Sequence, residues 1–152
     1  MIMPKILFVC LGNICRSPTA EAVMRQRAAG LGLHIESAGT GGWHIGDGPD
    51  PRSVTAGQAR GYSFAGQTAR QVAASDFERF DYILAMDSEN LKNLRRICPL
   101  EYAEKLELFL DYSPAHTGKD VPDPYYGGPR GFDNVIDLIE SACDGLIAAL
   151  RS

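Results

Sequence analysis

Between Val9 and Pro18 the sequence reads Val-Cys-Leu-Gly-Asn-Ile-Cys-Arg-Ser-Pro, bringing a thiol, a guanidinium and a hydroxyl into one short stretch. What they can do depends on the backbone around them. A strand that runs into a helix through a tight loop aims successive N–H groups at a common centre, and the helix N-terminus adds about half a positive charge. Such a loop is a cradle for an anion. Gly12 and Asn13 are residue types that tolerate positive φ, as a loop curling around a phosphate requires. Cys10, at the start of the loop, would face the bound anion, and the loop amides and Arg16 would favour its thiolate, a nucleophile. Arg16 can hold two oxygens of the anion through its planar fork, which a Lys cannot do. Ser17 can donate a hydrogen bond to the thiolate when it departs. A Cys ending a strand is commonly just a small buried hydrophobe. Gly-Asn inside the stretch, Ser-Pro after it, a buried strand before and a helix behind favour the nucleophile. No Gly-Lys-Ser/Thr follows, which excludes a nucleoside-triphosphate loop.

The elements that must position this loop are legible on either side of it. Lys5 to Cys10 is a continuous apolar run, the pattern of a strand buried on both faces. Ser17 is expected as the N-cap of the next helix, with Pro18 at its first position, Glu21 in its first turn and Gly30 near its end. Residues 33–38 alternate Leu33 and Ile35 with His34 and Glu36, a strand with one wet face at a sheet edge. Residues 39–51 are a Gly-dense loop holding Trp43, and 51–61 a short helix capped by Asp50. Residues 81–86 form a second buried strand, with a helix starting at Asp87, and 106–110 a fourth, weaker strand. The stretch 114–130, rich in Pro, Gly, Asp and Tyr, is a long loop, and long loops inside compact domains usually carry function. At the end Phe132, Val135, Ile136, Ile139, Cys143, Leu146, Ile147 and Leu150 share one helix face. Alternating strands and helices imply an α/β fold. The expected architecture is a four-stranded parallel sheet in order 2-1-3-4, with helices on both faces and residues 1–152 as one domain. In such sheets ligands bind beyond the carboxyl ends of the strands, where the loop from Cys10 to Arg16 lies.

Composition narrows the function classes. The 152 residues are 45% hydrophobic and 22% charged, the range of a single globular domain. A net charge of -4 with scattered Lys and Arg argues against a nucleic-acid or anionic-membrane partner, so an anionic substrate must be held by a local device. No apolar run is long enough for a membrane span or built like a signal peptide, so the cytoplasm is the expected compartment. Zinc is not expected: Cys10 and Cys15 lack a second Cys or His pair at ligand spacing, and His34, His44 and His116 are dispersed, read as surface or loop residues. No metal or cofactor is called for. Cys15 shares the loop with Cys10 and is expected to protect it from over-oxidation as a disulfide partner, if their Cα atoms lie within about 7 Å.

Cys10 to Ser17 resembles the signature of the low-molecular-weight protein tyrosine phosphatases, and Asp123-Pro-Tyr-Tyr126 resembles their second signature. Ser37-Ala-Gly-Thr40, Trp43, Asp50-Pro-Arg52, Ala69-Arg-Gln71 and Phe80 to Asp87 also look like family segments, so the resemblance covers nearly the whole chain. It implies hydrolysis of phosphotyrosine in proteins, a tyrosine kinase among the candidate partners, with Cys10, Arg16 and Asp123 catalytic. Cys10 would form a phosphocysteine, and Asp123 would protonate the phenolate and then activate water. Leu11, Gly12, Asn13, Ile14, Cys15 and Ser17 would form the phosphate loop. Leu11, Ile14, Trp43 and Tyr125 would wall the pocket for an aromatic ring, beside Tyr126. The loop-supporting hydrogen bonds would run through Asn13, Ser17 and Ser37. Gln67 stands where relatives often carry a His, and is expected to donate to Asp87. Three other readings are weaker. An arsenate reductase needs two further neighbouring cysteines, whereas Cys98 and Cys143 are far apart in sequence. Arginine phosphatases usually have Thr at the position of Ile14. A pure phosphotyrosine-binding or redox module would need neither Cys10 nor Asp123.

Overall fold

Lys5–Cys10 forms strand β1, and its side chains divide between two cores: Ile6, Phe8 and Cys10 face one, Leu7 and Val9 the other. That division is why the run is apolar without alternation. The computed structural model describes residues 4–124, 128 and 130–151. In it β1 is followed by α1 (Arg16–Arg27), β2 (His34–Gly39), α2 (Pro51–Gln58) and the single-turn α3 (Asp76–Arg79). Then come β3 (Tyr82–Ala85), α4 (Ser88–Ile97), β4 (Leu106–Leu108) and α5 (Gly131–Arg151). All pairings are parallel and the strand order is β2-β1-β3-β4, as the sequence led us to expect. On one face α1 and α5 lean on Ile6, Phe8 and Leu84; on the other Phe77, Phe80 and Leu94 cover Leu7, Val9 and Ile83. Among the described residues no helix is long and apolar enough to cross a membrane.

Several boundaries differ from expectation, each for a local reason. Helix α1 begins at Arg16 with Cys15 in the cap position and no side-chain cap, so Ser17 is not the N-cap and Glu21 lies beyond the first turn. The Ser17 hydroxyl is committed to the loop instead. Helix α2 ends at Gln58 rather than at residue 61, its N-terminus capped as expected by Asp50, which accepts from the Arg52 N–H at 2.8 Å. Strand β4 stops at Leu108, and Phe109–Tyr112 coils into a 3-10 turn. An apolar run reads the same in either state. The turn buries Phe109 edge-on against Phe8, ring centroids 4.9 Å apart, and a fully buried Phe is worth roughly 1.5–3 kcal/mol.

The turn also meets α5 tightly. A Cβ added at Gly145 would overlap the carbonyl oxygen of Tyr112, a backbone atom that cannot swing away. Gly145→Ala is therefore expected to lower stability by about 1–3 kcal/mol, although Ala is the better helix former. Urea unfolding checks this, and an unchanged or raised midpoint would show that α5 is free to shift.

Candidate active site

The carboxyl ends of three strands meet at one point. Cys10 pairs with Gly39 across β1 and β2, and Val9 with Ala85 across β1 and β3. Beyond β2 the chain stays attached, the N–H groups of Thr40 and Gly41 donating to the carbonyls of Cys10 and Leu11 at 2.9 Å each. The loop that leaves Cys10 turns at Asn13, the only described residue other than glycine with positive φ, 58°. Gly12 does not share that conformation. Its missing side chain serves close approach instead, since a Cβ there would come within 3.1 Å of the His44 ring.

Asn13 is tied down on all sides. Its Nδ2 donates to Ser17 Oγ at 2.8 Å and to Ser37 Oγ at 3.0 Å, and its Oδ1 accepts from the Arg70 N–H at 3.0 Å. Its own N–H donates to Cys10 Sγ at 3.3 Å. Ser17 Oγ lies 3.0 Å from the same sulfur, either atom able to donate. Ser37 passes the chain on, donating to the buried carboxylate of Glu21 at 2.6 Å, which in turn pairs with Arg25.

In front of the sulfur is a cavity of about 300 Å³ lined by Cys10, Leu11, Gly12, Ile14, Cys15, Arg16, Trp43, His44 and Asp123. Eight of the sequence-derived candidates thus share one hollow. Asn13 and Ser17 sit buried behind the loop, and Tyr125 and Tyr126 lie outside the described residues. Trp43 is 72% exposed, its ring laid across Gly41, where a Cβ would strike it. Burial pushes the Cys15 thiol up to about 12, partly offset by a hydrogen bond with Ser53, so it stays a neutral thiol. Arg16 is 4% exposed, and its Nη1 donates to Asp87 at 2.6 Å and to the Val121 carbonyl at 3.0 Å. Burial alone would lower the Arg16 pKa, but Cys10, Asp87 and Asp123 outweigh it and hold the guanidinium charged. A wider groove of about 740 Å³, between α2 and the start of α5, carries none of the candidate groups.

One expectation needs correction. Gln67 does not reach Asp87: its Nε2 donates to the Pro18 carbonyl at 3.0 Å, and its buried Oε1 has no partner among the described residues. Asp87 is already engaged, by Arg16 and by the N–H of Asn90 at the start of α4. Gln67 thus steadies the first turn of α1 rather than the arginine. His44 stands on the Gly-dense loop and is partly exposed, as expected. It lines the cavity, with Nδ1 3.2 Å from Asp47. Sequence reasoning also passed over Val121 and Arg70, which act through backbone groups that no residue type announces.

The model of the low molecular weight phosphotyrosine protein phosphatase family matches residues 5–152. A Streptomyces coelicolor low molecular weight protein-tyrosine-phosphatase is 49% identical over 154 residues, spanning 97% of this chain and 93% of that protein. Among solved structures, a protein tyrosine phosphatase from Entamoeba histolytica superposes with a TM-score of 0.93 at 45% identity, over 97% of each chain. YfkJ from Bacillus subtilis does so at 0.92 and 44%, over 99% of this chain and 96% of the other.

The buried end of the Asn13 network has a pH signature. Burial raises the Glu21 pKa above the ordinary carboxylate range, more than the Ser37 hydrogen bond and the Arg25 charge lower it. The folded protein then holds that proton more tightly than the unfolded chain. The Glu21 contribution to stability is fully present below the unfolded value, about 4.3, and is lost as pH rises through the folded one. Glu21→Gln can still accept from Ser37 but does not titrate. Its stability relative to wild type should therefore improve as pH rises above about 4.3, read from urea unfolding at a series of pH values. A difference independent of pH would show that Glu21 titrates alike in both states.

Proposed function

The chain belongs to the low molecular weight phosphotyrosine protein phosphatase family, and on that premise we propose that it hydrolyses phosphotyrosine in proteins through a phosphocysteine, with Cys10 as nucleophile and Asp123 as general acid and base. The observation that carries the reading is the shared cavity of Cys10, Arg16 and Asp123, with the Asn13 N–H and the Ser17 hydroxyl on the sulfur.

The Cys10 thiolate attacks phosphorus in line with the phenolic oxygen. As the S–P bond forms and the P–O bond breaks, Asp123 gives its proton to that oxygen and tyrosine leaves. Water then attacks the phosphocysteine and yields a proton to the Asp123 carboxylate. The S–P bond breaks, inorganic phosphate departs, and Ser17 and the Asn13 N–H receive the thiolate. Through both steps the equatorial oxygens are met by Arg16, the amides of the loop from Leu11 to Cys15, and the N-terminus of α1. Cys15, a neutral thiol, does not compete for the phosphoryl group. For the same reason it is a slow resolving partner if Cys10 is oxidised.

Specificity follows from depth. Leu11, Ile14 and Trp43, with Tyr125 and Tyr126 beyond them in sequence, are read as walls for a flat ring. A phosphoserine is too short to bring its phosphorus past them to Cys10. Residues 1–152 act in this reading as one catalytic domain. A phosphotyrosine substrate presupposes a kinase that makes it, and the phosphorylated kinase is itself a candidate substrate.

Cys10→Ser should lower turnover of an aryl phosphate by on the order of 10³ or more, as loss of a covalent nucleophile does elsewhere, while inorganic phosphate still binds. Retention of more than a few per cent of wild-type turnover would sink the mechanism. On matched peptides, kcat/KM should be far higher for phosphotyrosine than for phosphoserine or phosphoarginine. Equal values on phosphoserine would remove the pocket-depth argument, and a preference for phosphoarginine would move the chain to another substrate class.

A further inference from the structure

Asp123 is exposed, yet a general acid must be held near the leaving oxygen to be effective. One anchorage for Asp123 is the segment just before it. Val121 is fully buried, its N–H donating to the Met86 carbonyl at 2.8 Å and its carbonyl accepting from Arg16. Next to it, Asp120 Oδ1 accepts from both the N–H and the hydroxyl of Ser88, at 2.9 and 2.8 Å. Met86, Asp87 and Ser88 are consecutive, where β3 passes into α4. The first holds Val121, the second Arg16 and the third Asp120.

We propose that Asp120 is a positioning residue for the reaction, a latch that fixes the Asp123 loop to the same junction that aims Arg16. This rests on the general-acid reading of Asp123. The physical case is that Asp120 accepts from two donors of a rigid element, three residues before Asp123. A carboxylate at the N-terminus of α4 is also favoured by the unpaired amides and dipole there, which strengthens the latch. Nothing in the chemistry needs Asp120 to touch substrate. Without the latch, the segment before Asp123 would keep the Val121 backbone bonds but lose a fixed point beside them, and Asp123 would be carried off line. Displacing a reacting group by about 1 Å can cost about 10² in rate.

The experiment compares kcat/KM on phenyl phosphate, whose leaving group needs a proton, with p-nitrophenyl phosphate, whose leaving group scarcely does. Asp123→Asn is the reference, expected to lose far more on phenyl phosphate. Asp120→Ala should show the same split in milder form, about 10- to 100-fold on phenyl phosphate and little on p-nitrophenyl phosphate. Asp120→Asn keeps an oxygen for Ser88 and should recover most of the loss. Ser88→Ala removes one of the two donors and should give a smaller split, with the double variant no worse than Asp120→Ala alone. Equal losses on the two esters for Asp120→Ala, or none, beside a clear split for Asp123→Asn, would overturn the latch and leave the general acid standing. No split for Asp123→Asn would overturn the general acid, and the latch with it.

Discussion

Asn13 holds its turn at φ 58°, and most of the site follows from that one residue. An asparagine can adopt the left-handed conformation at modest cost, and it alone also brings an amide that donates two hydrogen bonds and accepts another. Here all three are used, to Ser17, Ser37 and the Arg70 N–H. Ser17 and Ser37 are buried, so a bond to either left unmade would cost about 1–3 kcal/mol. The loop has few ways to relax. Its fixed curl is what points the Asn13 N–H at the Cys10 sulfur and starts α1 one residue after Cys15. It is also why α1 lacks a side-chain cap, because Ser17, the cap its sequence suggests, is held by Asn13 and Cys10.

The second constraint is the ion pair of buried Arg16 with half-buried Asp87. Removing a guanidinium and a carboxylate from water costs several kcal/mol per ion, and such pairs are poor sources of stability. Arg16 with Asp87 is better understood as positional. Asp87 caps α4 through the Asn90 N–H and grips Arg16 through its other oxygen, so the arginine inherits the rigidity of a helix anchored in the sheet. The Val121 carbonyl takes a second hydrogen of the same nitrogen. Nε and Nη2 make no hydrogen bond to a described residue, which leaves three of the five N–H groups for oxygens of an anion in the proposed chemistry.

What the sequence disclosed and what it hid divide along physical lines. Strand β1, strand β3 and the buried face of α5 were legible because burial on two faces, or at a helical period, is written in side-chain polarity. The strand order followed, with the alternating stretch at Ile35 marking the edge. The Cys10 loop was legible because its chemistry needs particular residue types at fixed spacing. Contacts made by backbone atoms were not legible, since the carbonyl of Val121 or the amide of Arg70 could belong to any residue. Competition was equally hidden. Ser17 reads as a cap until Asn13 is seen to claim it, and Gln67 reads as a donor to Asp87 until Arg16 is found there first. His44 escaped because three isolated histidines carry no pattern, and only the fold of the Gly-dense loop carries one of them to the cavity.

The charge balance of the cavity links binding to the proposed chemistry. A phosphate dianion entering it meets one guanidinium, already shared with Asp87, and the partial charge of a helix end. Facing these are the sulfur of Cys10 and the carboxyl of Asp123. With both of those ionised, the hollow would hold more negative charge than its cation and amides can balance, in a protein whose net charge is already -4. One proton among them relieves the excess. If it rested on sulfur, the nucleophile would be lost; resting on Asp123, it lies where the phenolic oxygen will need it. In the proposed mechanism the proton rests on Asp123, while the sulfur meets the Asn13 N–H and the Ser17 hydroxyl. In that reading the electrostatics that limits dianion binding also arms the acid, and disarms it again once tyrosine has carried the proton away. What remains is a carboxylate beside a phosphocysteine, the arrangement that hydrolysis requires.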